Sequence, residues 1–132
     1  MRESEITKHI LLAIIRDTNA RLFRHNVGTG WVGKYSRHAA GRVLIHDPRP
    51  LHAGLHKGAG DLIGWTPVVI TPEMVGRTVA VFTSLEAKTA RGRVSSVQQH
   101  WIDTVAGQGG ISGVARSGEE ALEIIRSYRR RT

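Results

Sequence analysis

The chain has 132 residues, no cysteine, and 19 Lys+Arg against 11 Asp+Glu, a formal net charge of +8. That length suits a single domain, taken here as residues 1–132, with a proper core, and the missing thiols exclude disulfides, thiolate metal centres and a cysteine nucleophile. The charge points to a polyanion, most often nucleic acid, although a small protein kept soluble by its charge is the plainer alternative.

Residues 4–18, "SEITKHILLAIIRDT", read as a helix capped by Ser4, with Ile6, Ile10, Leu11 and Ile14 at helical spacing. Its apolar run, "ILLAII", is too short to span a bilayer, and Arg16 follows it without a cleavage-site pattern. The expectation is a soluble, cytoplasmic protein. Residues 20–26 suit a short strand, "GTGWVGK" a glycine-rich turn, and residues 41–47, "GRVLIHD", a second strand ended by "PRP". A loop follows from Pro48 to Gly60. "DLIGWTPVVI" is a strand in one or two pieces, and "TPEMVG" a single helical turn with Pro72 at its first position.

"RTVAVFTSLEAK" is the clearest strand. Residues 95–106 form an amphipathic helix with Val97, Trp101 and Val105 spaced four apart, so Val97 and Trp101 are expected in the core. "GGISGVARS" returns to strand, and "SGEEALEIIRSYRR" closes as a helix with Ser117 and Glu120 as a capping box. The basic tail reads as a solvated helix end. Helices and strands in this order predict an α/β or α+β fold without internal repeats.

Side chains alternate along a strand, so Glu86 and Lys88 share a face with Phe82 and Ala80. Their Cα atoms stand roughly 7 Å apart, and both side chains reach one point above the strand end. Taken alone they are a surface ion pair or half of a metal site. Asp61 opens the preceding strand after "KGAG", and small residues let a phosphate approach the backbone. If the two strands pair, Asp61 and Glu86 stand side by side, and a divalent cation relieves the repulsion between them. Gln98 lies one step round the helix from Val97 and Trp101, as an ordinary polar position or as a group that orients a water or phosphate.

The series Gly60-Asp61, Glu86-Ala87-Lys88, Gly92, Ser95, Gln98 and Trp101 resembles the PD-(D/E)xK nuclease superfamily, and within it the VRR-NUC family in its compact, stand-alone phage form. The likeness spans roughly residues 3–125, and its one departure is Gly60 where that family nominally has proline before the aspartate. The resemblance implies a restriction-endonuclease-like core, a mixed sheet flanked by helices. It further implies that Asp61, Glu86 and the backbone carbonyl of Ala87 hold Mg²⁺ or Mn²⁺. Lys88 would orient the attacking water and offset developing charge, Gln98 would support the site, and Glu5 on the first helix would add an outer metal contact. The implied activity is hydrolysis of phosphodiester bonds in DNA, with branched DNA such as four-way junctions cut by a homodimer. Hard oxygen ligands suit Mg²⁺, and a Lys beside two carboxylates stays protonated, which favours electrostatic stabilisation over general-base action.

Arg91 and Arg93, directly after the Glu-x-Lys strand, are the leading phosphate contacts expected, joined by Arg24, Asn26, Lys34 and Lys57 in a loop or hairpin. His46, His52 and His56 sit in a segment without helical pattern, which makes zinc a weak reading. "GTGWVGK" lacks the spacing of a nucleotide phosphate loop. Trp31, Ile111 and Val114 are candidates for either core or a dimer interface. The rival to a nuclease is a basic DNA-binding protein that keeps the fold without the chemistry.

Overall fold

Two compact units divide the chain, one ending at Gly64 and one beginning at Trp65. The computed structural model describes residues 2–128, and among them are three α-helices and six strands in three two-stranded sheets. The fold is mixed α/β, consistent with a restriction-endonuclease-like core.

In the first unit, α1 (Glu3–Asp17) starts earlier than the Ser4 cap predicts. The Glu5 carboxylate reaches back to accept the Arg2 backbone N–H at 2.9 Å, which satisfies an otherwise orphaned donor and pulls Glu3 and Ser4 into the first turn. The inward stripe runs through Thr7, Leu11 and Ile14, at i, i+4 and i+7, while Ile6 and Ile10 stay exposed. α1 packs on β1 (Arg21–Arg24), and β1 pairs with β4 (Leu62–Trp65). Gly64 makes that pairing possible, because a Cβ there would run into the Arg21 carbonyl.

Between β1 and β4 the chain forms a long antiparallel hairpin, β2 (Gly28–Arg37) and β3 (Val43–Ala53). Here the sequence reading changes. "GTGWVGK" is strand, not turn, and "PRP" lies inside β3 instead of ending it. Each strand of a two-stranded ribbon has one edge without ladder partners, so Pro48 and Pro50 need not donate there. The register slips between Val32 and Lys34, where Asp47 takes a left-handed conformation (φ 48°). A Cβ on Gly33 would stand 2.5 Å from the His46 carbonyl oxygen. That glycine marks a close approach of two backbones, not a reversal of the chain.

In the second unit, Pro72–Met74 is a 3₁₀ turn, matching the single helical turn expected after Thr71. β5 (Thr83–Ala87) pairs in parallel with β6 (Ile111–Ala115), and α2 (Ser96–Gly107) makes the crossover that a parallel pair requires. α3 (Gly118–Tyr128) packs against β6. The expected continuation of that helix through Arg129 and Arg130, with the rest of the basic tail, lies outside the described residues.

Trp65, Phe82 and Trp101 form an aromatic cluster, with ring centroids 5.0 to 6.4 Å apart in tilted and edge-on arrangements; Trp65 is buried, whereas Trp101, expected in the core, stands at its margin, 37% exposed. Val105 is 1% exposed and Ile102 is buried beside it. Val97, expected in the core, is 78% exposed. Gln98, Ile102 and Val105 turn inward instead, because Gln98 is held at the start of the helix by bonds described below.

The orientation of α2 sets two opposite mutational outcomes. Val105→Ala removes two buried methyl-group equivalents and should cost about 2 kcal/mol of unfolding free energy. Val97→Ala should change it by less than about 0.5 kcal/mol. Urea denaturation of both variants, followed by far-UV circular dichroism, measures the difference.

Candidate functional site

β5 delivers Glu86 and Lys88 to one face because strand side chains alternate: Phe82, Ser84, Glu86 and Lys88 are partly covered, while Thr83, Leu85 and Ala87 are exposed. The Lys88 ammonium lies 3.1 Å from Glu86 Oε1. The side chains of Lys88 and Glu86 are 20% and 32% exposed, so solvent reaches the pair without immersing it. β6 anchors the end of the strand, with the Lys88 backbone N–H donating to the Ala115 carbonyl at 3.1 Å.

α2 supplies the third member. Ser95 caps the helix, and its Oγ accepts the Gln98 N–H at 3.2 Å, while the Ser95 N–H donates to Gln98 Oε1 at 3.0 Å. This reciprocal capping box leaves only the amide nitrogen of Gln98 available to reach outward. Gln98 Nε2 donates to Glu86 Oε1 at 2.6 Å. Both contacts to Glu86 therefore fall on Oε1, and among the described residues neither uses Oε2. A hard cation accepts such an oxygen, and the Ala87 carbonyl at the same strand end is a donor of the same class. The donor chemistry fits Mg²⁺ or Mn²⁺.

Trp101, one turn further along α2, donates its indole N–H to Ser84 Oγ at 2.9 Å and fixes the helix against β5. The loop after Lys88 folds back on itself through the Gly92 N–H, which donates to the Thr89 carbonyl at 3.0 Å. Arg116 holds it, donating to the Gly92 carbonyl at 3.1 Å. Arg91 and Arg93 in this loop are exposed.

In the first unit, Asp61 lines a polar cleft of about 150 Å³ with Glu3, Ser4, Thr7, Arg24 and Asn26. Two residues expected near nucleic acid, Arg24 and Asn26, thus stand with the aspartate. Glu5, the helix residue implied by the resemblance, engages its carboxylate at the N-terminus of α1, and Glu3 is the helix carboxylate in the cleft. Lys34 lies on the hairpin and Lys57 in the loop before β4, both exposed.

His25 escaped the sequence reading. Its backbone N–H donates to the Asp61 carbonyl at 2.9 Å, its Nδ1 bonds the Gly60 carbonyl at 3.0 Å, and its Nε2 accepts the Leu55 N–H at 2.9 Å. These bonds require the neutral tautomer with the proton on Nδ1, and they clamp the glycine-rich segment that ends at Asp61. No local pattern announces partners 30 and 35 residues away. The three histidines of the zinc reading bond separately: His46 bonds Ser36, His52 bonds Thr29, and His56 bonds the Lys57 carbonyl. Among the described residues no three His, Asp or Glu side chains gather as a metal cage, and no helix is long and apolar enough to cross a membrane.

Removing the clamp has a local signature. His25→Ala should lower stability by about 1–3 kcal/mol, because the Leu55 N–H and the Gly60 carbonyl lose their partners. Amide hydrogen exchange at Leu55 should accelerate more than at Val105, and equal acceleration at both would contradict a local role for His25.

Comparison with known proteins bears on the same residues. No curated protein and no solved structure matches the chain. The model of the VRR-NUC domain matches residues 36–119, well over half of the chain. The matched segment contains Asp61, Glu86, Ala87, Lys88 and Gln98, and stops short of Glu5, Arg24, Asn26 and Lys34. With the Glu-x-Lys strand and its glutamine-bearing helix inside that match, the chain belongs to the VRR-NUC family of PD-(D/E)xK nucleases.

Proposed function

We propose that this nuclease is a Mg²⁺- or Mn²⁺-dependent DNA endonuclease that acts as a homodimer on branched DNA, four-way junctions included, with residues 1–132 working as one nuclease domain. Family membership supplies the general activity, hydrolysis of DNA. The observation that carries the finer reading is the set of bonds on Glu86. Gln98 and Lys88 share Oε1 and leave Oε2 aside, an arrangement suited to a carboxylate that holds a cation beside a lysine.

In this reading Asp61, Glu86 and the Ala87 carbonyl are the ligands, and Glu5 contributes at longer range. The ion supplies Lewis-acid stabilisation of the charge on the scissile phosphate. Lys88, with its ammonium against Glu86, orients the attacking water and offsets the charge that builds on the non-bridging oxygens. Gln98 fixes the rotamer of Glu86, so the carboxylate need not reorganise when substrate arrives. The exposed guanidinium groups of Arg91 and Arg93 hold the strand next to the site, with Arg24, Asn26, Lys34 and Lys57 as further backbone contacts. Two equivalent cuts across a symmetric junction call for two equivalent sites, which is the physical motive for a dimer.

Two experiments test this. Labelled four-way junction, flap, nicked, single-stranded and duplex DNA should be cut with Mg²⁺ or Mn²⁺, not with EDTA, and the junction fastest. Asp61→Asn, Glu86→Gln and Lys88→Met should each slow cleavage by about a hundredfold or more while binding survives. Binding that persists without any cutting in either metal would leave a DNA-binding protein without nuclease activity. Arg91→Ala and Arg93→Ala should weaken all DNA substrates alike and each lower the slope of log affinity against log salt by about one.

A further inference from the structure

The β2–β3 ribbon has one face that the chemistry above does not use. Cross-strand partners share a face, so the register places Trp31 with Pro50, Tyr35 with Ile45 and Arg37 with Val43 on the same side. Trp31 and Tyr35 are 60% and 62% exposed. Together with Arg37, Arg42, Val43 and Ile45 they line a groove of about 600 Å³. Two aromatic rings, two aliphatic side chains and two guanidinium groups thus meet in one concave surface.

From this surface we infer that the ribbon face is a docking site for unpaired nucleotides, at which Trp31 and Tyr35 stack on bases and Arg37 and Arg42 hold the flanking phosphates. The inference rests on the nuclease reading and adds to it a second contact with the DNA. Charge selects the occupant. Across residues 28–53 the ribbon carries Lys34, Arg37, Arg42 and Arg49 against Asp47 as its one acid. A second copy docking through the same face in a two-fold arrangement would set Arg37 and Arg42 against their own equivalents with no carboxylate from that face between them. A polyanion meets no such conflict. Paired DNA is the poorer polyanion here, because base stacking hides the π-faces that would cover Trp31 and Tyr35. Unpaired bases expose those faces and stack on aromatic side chains with little sequence preference. The two rings are four residues apart on β2, about 13 Å along the strand, so each takes its own base. Branched DNA offers such bases where its arms open.

The test uses the full-length protein and fluorescein-labelled oligonucleotides: single-stranded oligo-dT, a junction with unpaired thymidines at the branch, and a blunt duplex. Replacing both rings, Trp31→Ala with Tyr35→Ala, should weaken binding to oligo-dT and to the open junction by about 5- to 100-fold and to the duplex by less than about twofold. On the open junction KM should rise while kcat holds. Trp31→Phe should restore most of the loss, because it keeps a stacking surface. In the unmodified protein, 5-iododeoxyuridine at the unpaired position should photocross-link to Trp31 or Tyr35, a result that does not depend on any variant folding. Equal losses on duplex and single-stranded DNA, or cross-links confined to other residues, would overturn the proposal. So would a double variant that binds oligo-dT normally but falls from dimer to monomer in sedimentation, which would assign the face to a second copy. If the unmodified protein cuts DNA while the double variant behaves identically, the ribbon proposal fails alone; if it neither binds nor cuts DNA, the nuclease reading fails with it.

Discussion

One side chain joins the two halves of the Glu-x-Lys chemistry. The amide of Gln98 uses its oxygen to close the capping box of α2 and its nitrogen to hold Glu86 at 2.6 Å. A glutamine engaged at one end only would sample several rotamers; engaged at both, it has almost none to choose from. The start of α2 is thereby fixed to the end of β5, and the parallel β5–β6 pair fixes both. The carboxylate also stands by the first turn of α2, where the unpaired backbone N–H groups favour negative charge. Chemistry at the carboxyl end of a parallel strand, beside the N-terminus of its crossover helix, follows from the connection itself.

The Lys88–Glu86 contact satisfies the plain reading of the two residues as an ion pair, yet it does little to explain their presence. A partly exposed pair of this kind contributes on the order of 1 kcal/mol or less, since solvent screens it and two flexible side chains must be ordered. An additional, part-buried hydrogen-bonding arm from another element is unnecessary for such a pair. Gln98 holds the carboxylate whether or not Lys88 is paired with it, which is the behaviour expected of a group kept ready for a third partner.

Much of this was legible in the residues, and what was not has identifiable causes. The shared face of Glu86 and Lys88 follows from the two-residue period of a strand, although the ladder with β6 covers only Thr83–Ala87, and the apolar run Val79–Phe82 that announces the strand lies before it. The stripe of Val97, Trp101 and Val105 on α2 holds for buried Val105 and in part for Trp101, and fails at Val97, which is 78% exposed. The Ser95–Gln98 capping box overrides that stripe at the first turn, where a polar residue held inward excludes its neighbour Val97. "GTGWVGK" reads as a turn because glycine usually marks one, whereas Gly33 serves the close approach of β2 to the His46 carbonyl. "PRP" reads as a strand end because proline breaks a ladder, whereas a two-stranded ribbon leaves edges where no ladder exists. His25 was invisible for a different reason, since both of its ring partners are distant in sequence.

The ribbon and the Glu-x-Lys strand also differ in how far the family accounts for them. Residues 36–119 match the VRR-NUC domain, so β5, α2 and Asp61 fall inside it, while Trp31 and Tyr35 on β2 fall outside. Hydrolysis constrains its residues tightly, because ligand and lysine must reach one phosphate. A stacking surface needs only flat apolar rings near positive charge, and those rings can change without disturbing the proposed ligands. On the proposed reading, then, Asp61, Glu86 and Lys88 fall in the matched segment, and a preference for one DNA structure over another has the most freedom to differ at Trp31 and Tyr35, since β3, Arg37 and Arg42 fall inside the match as well.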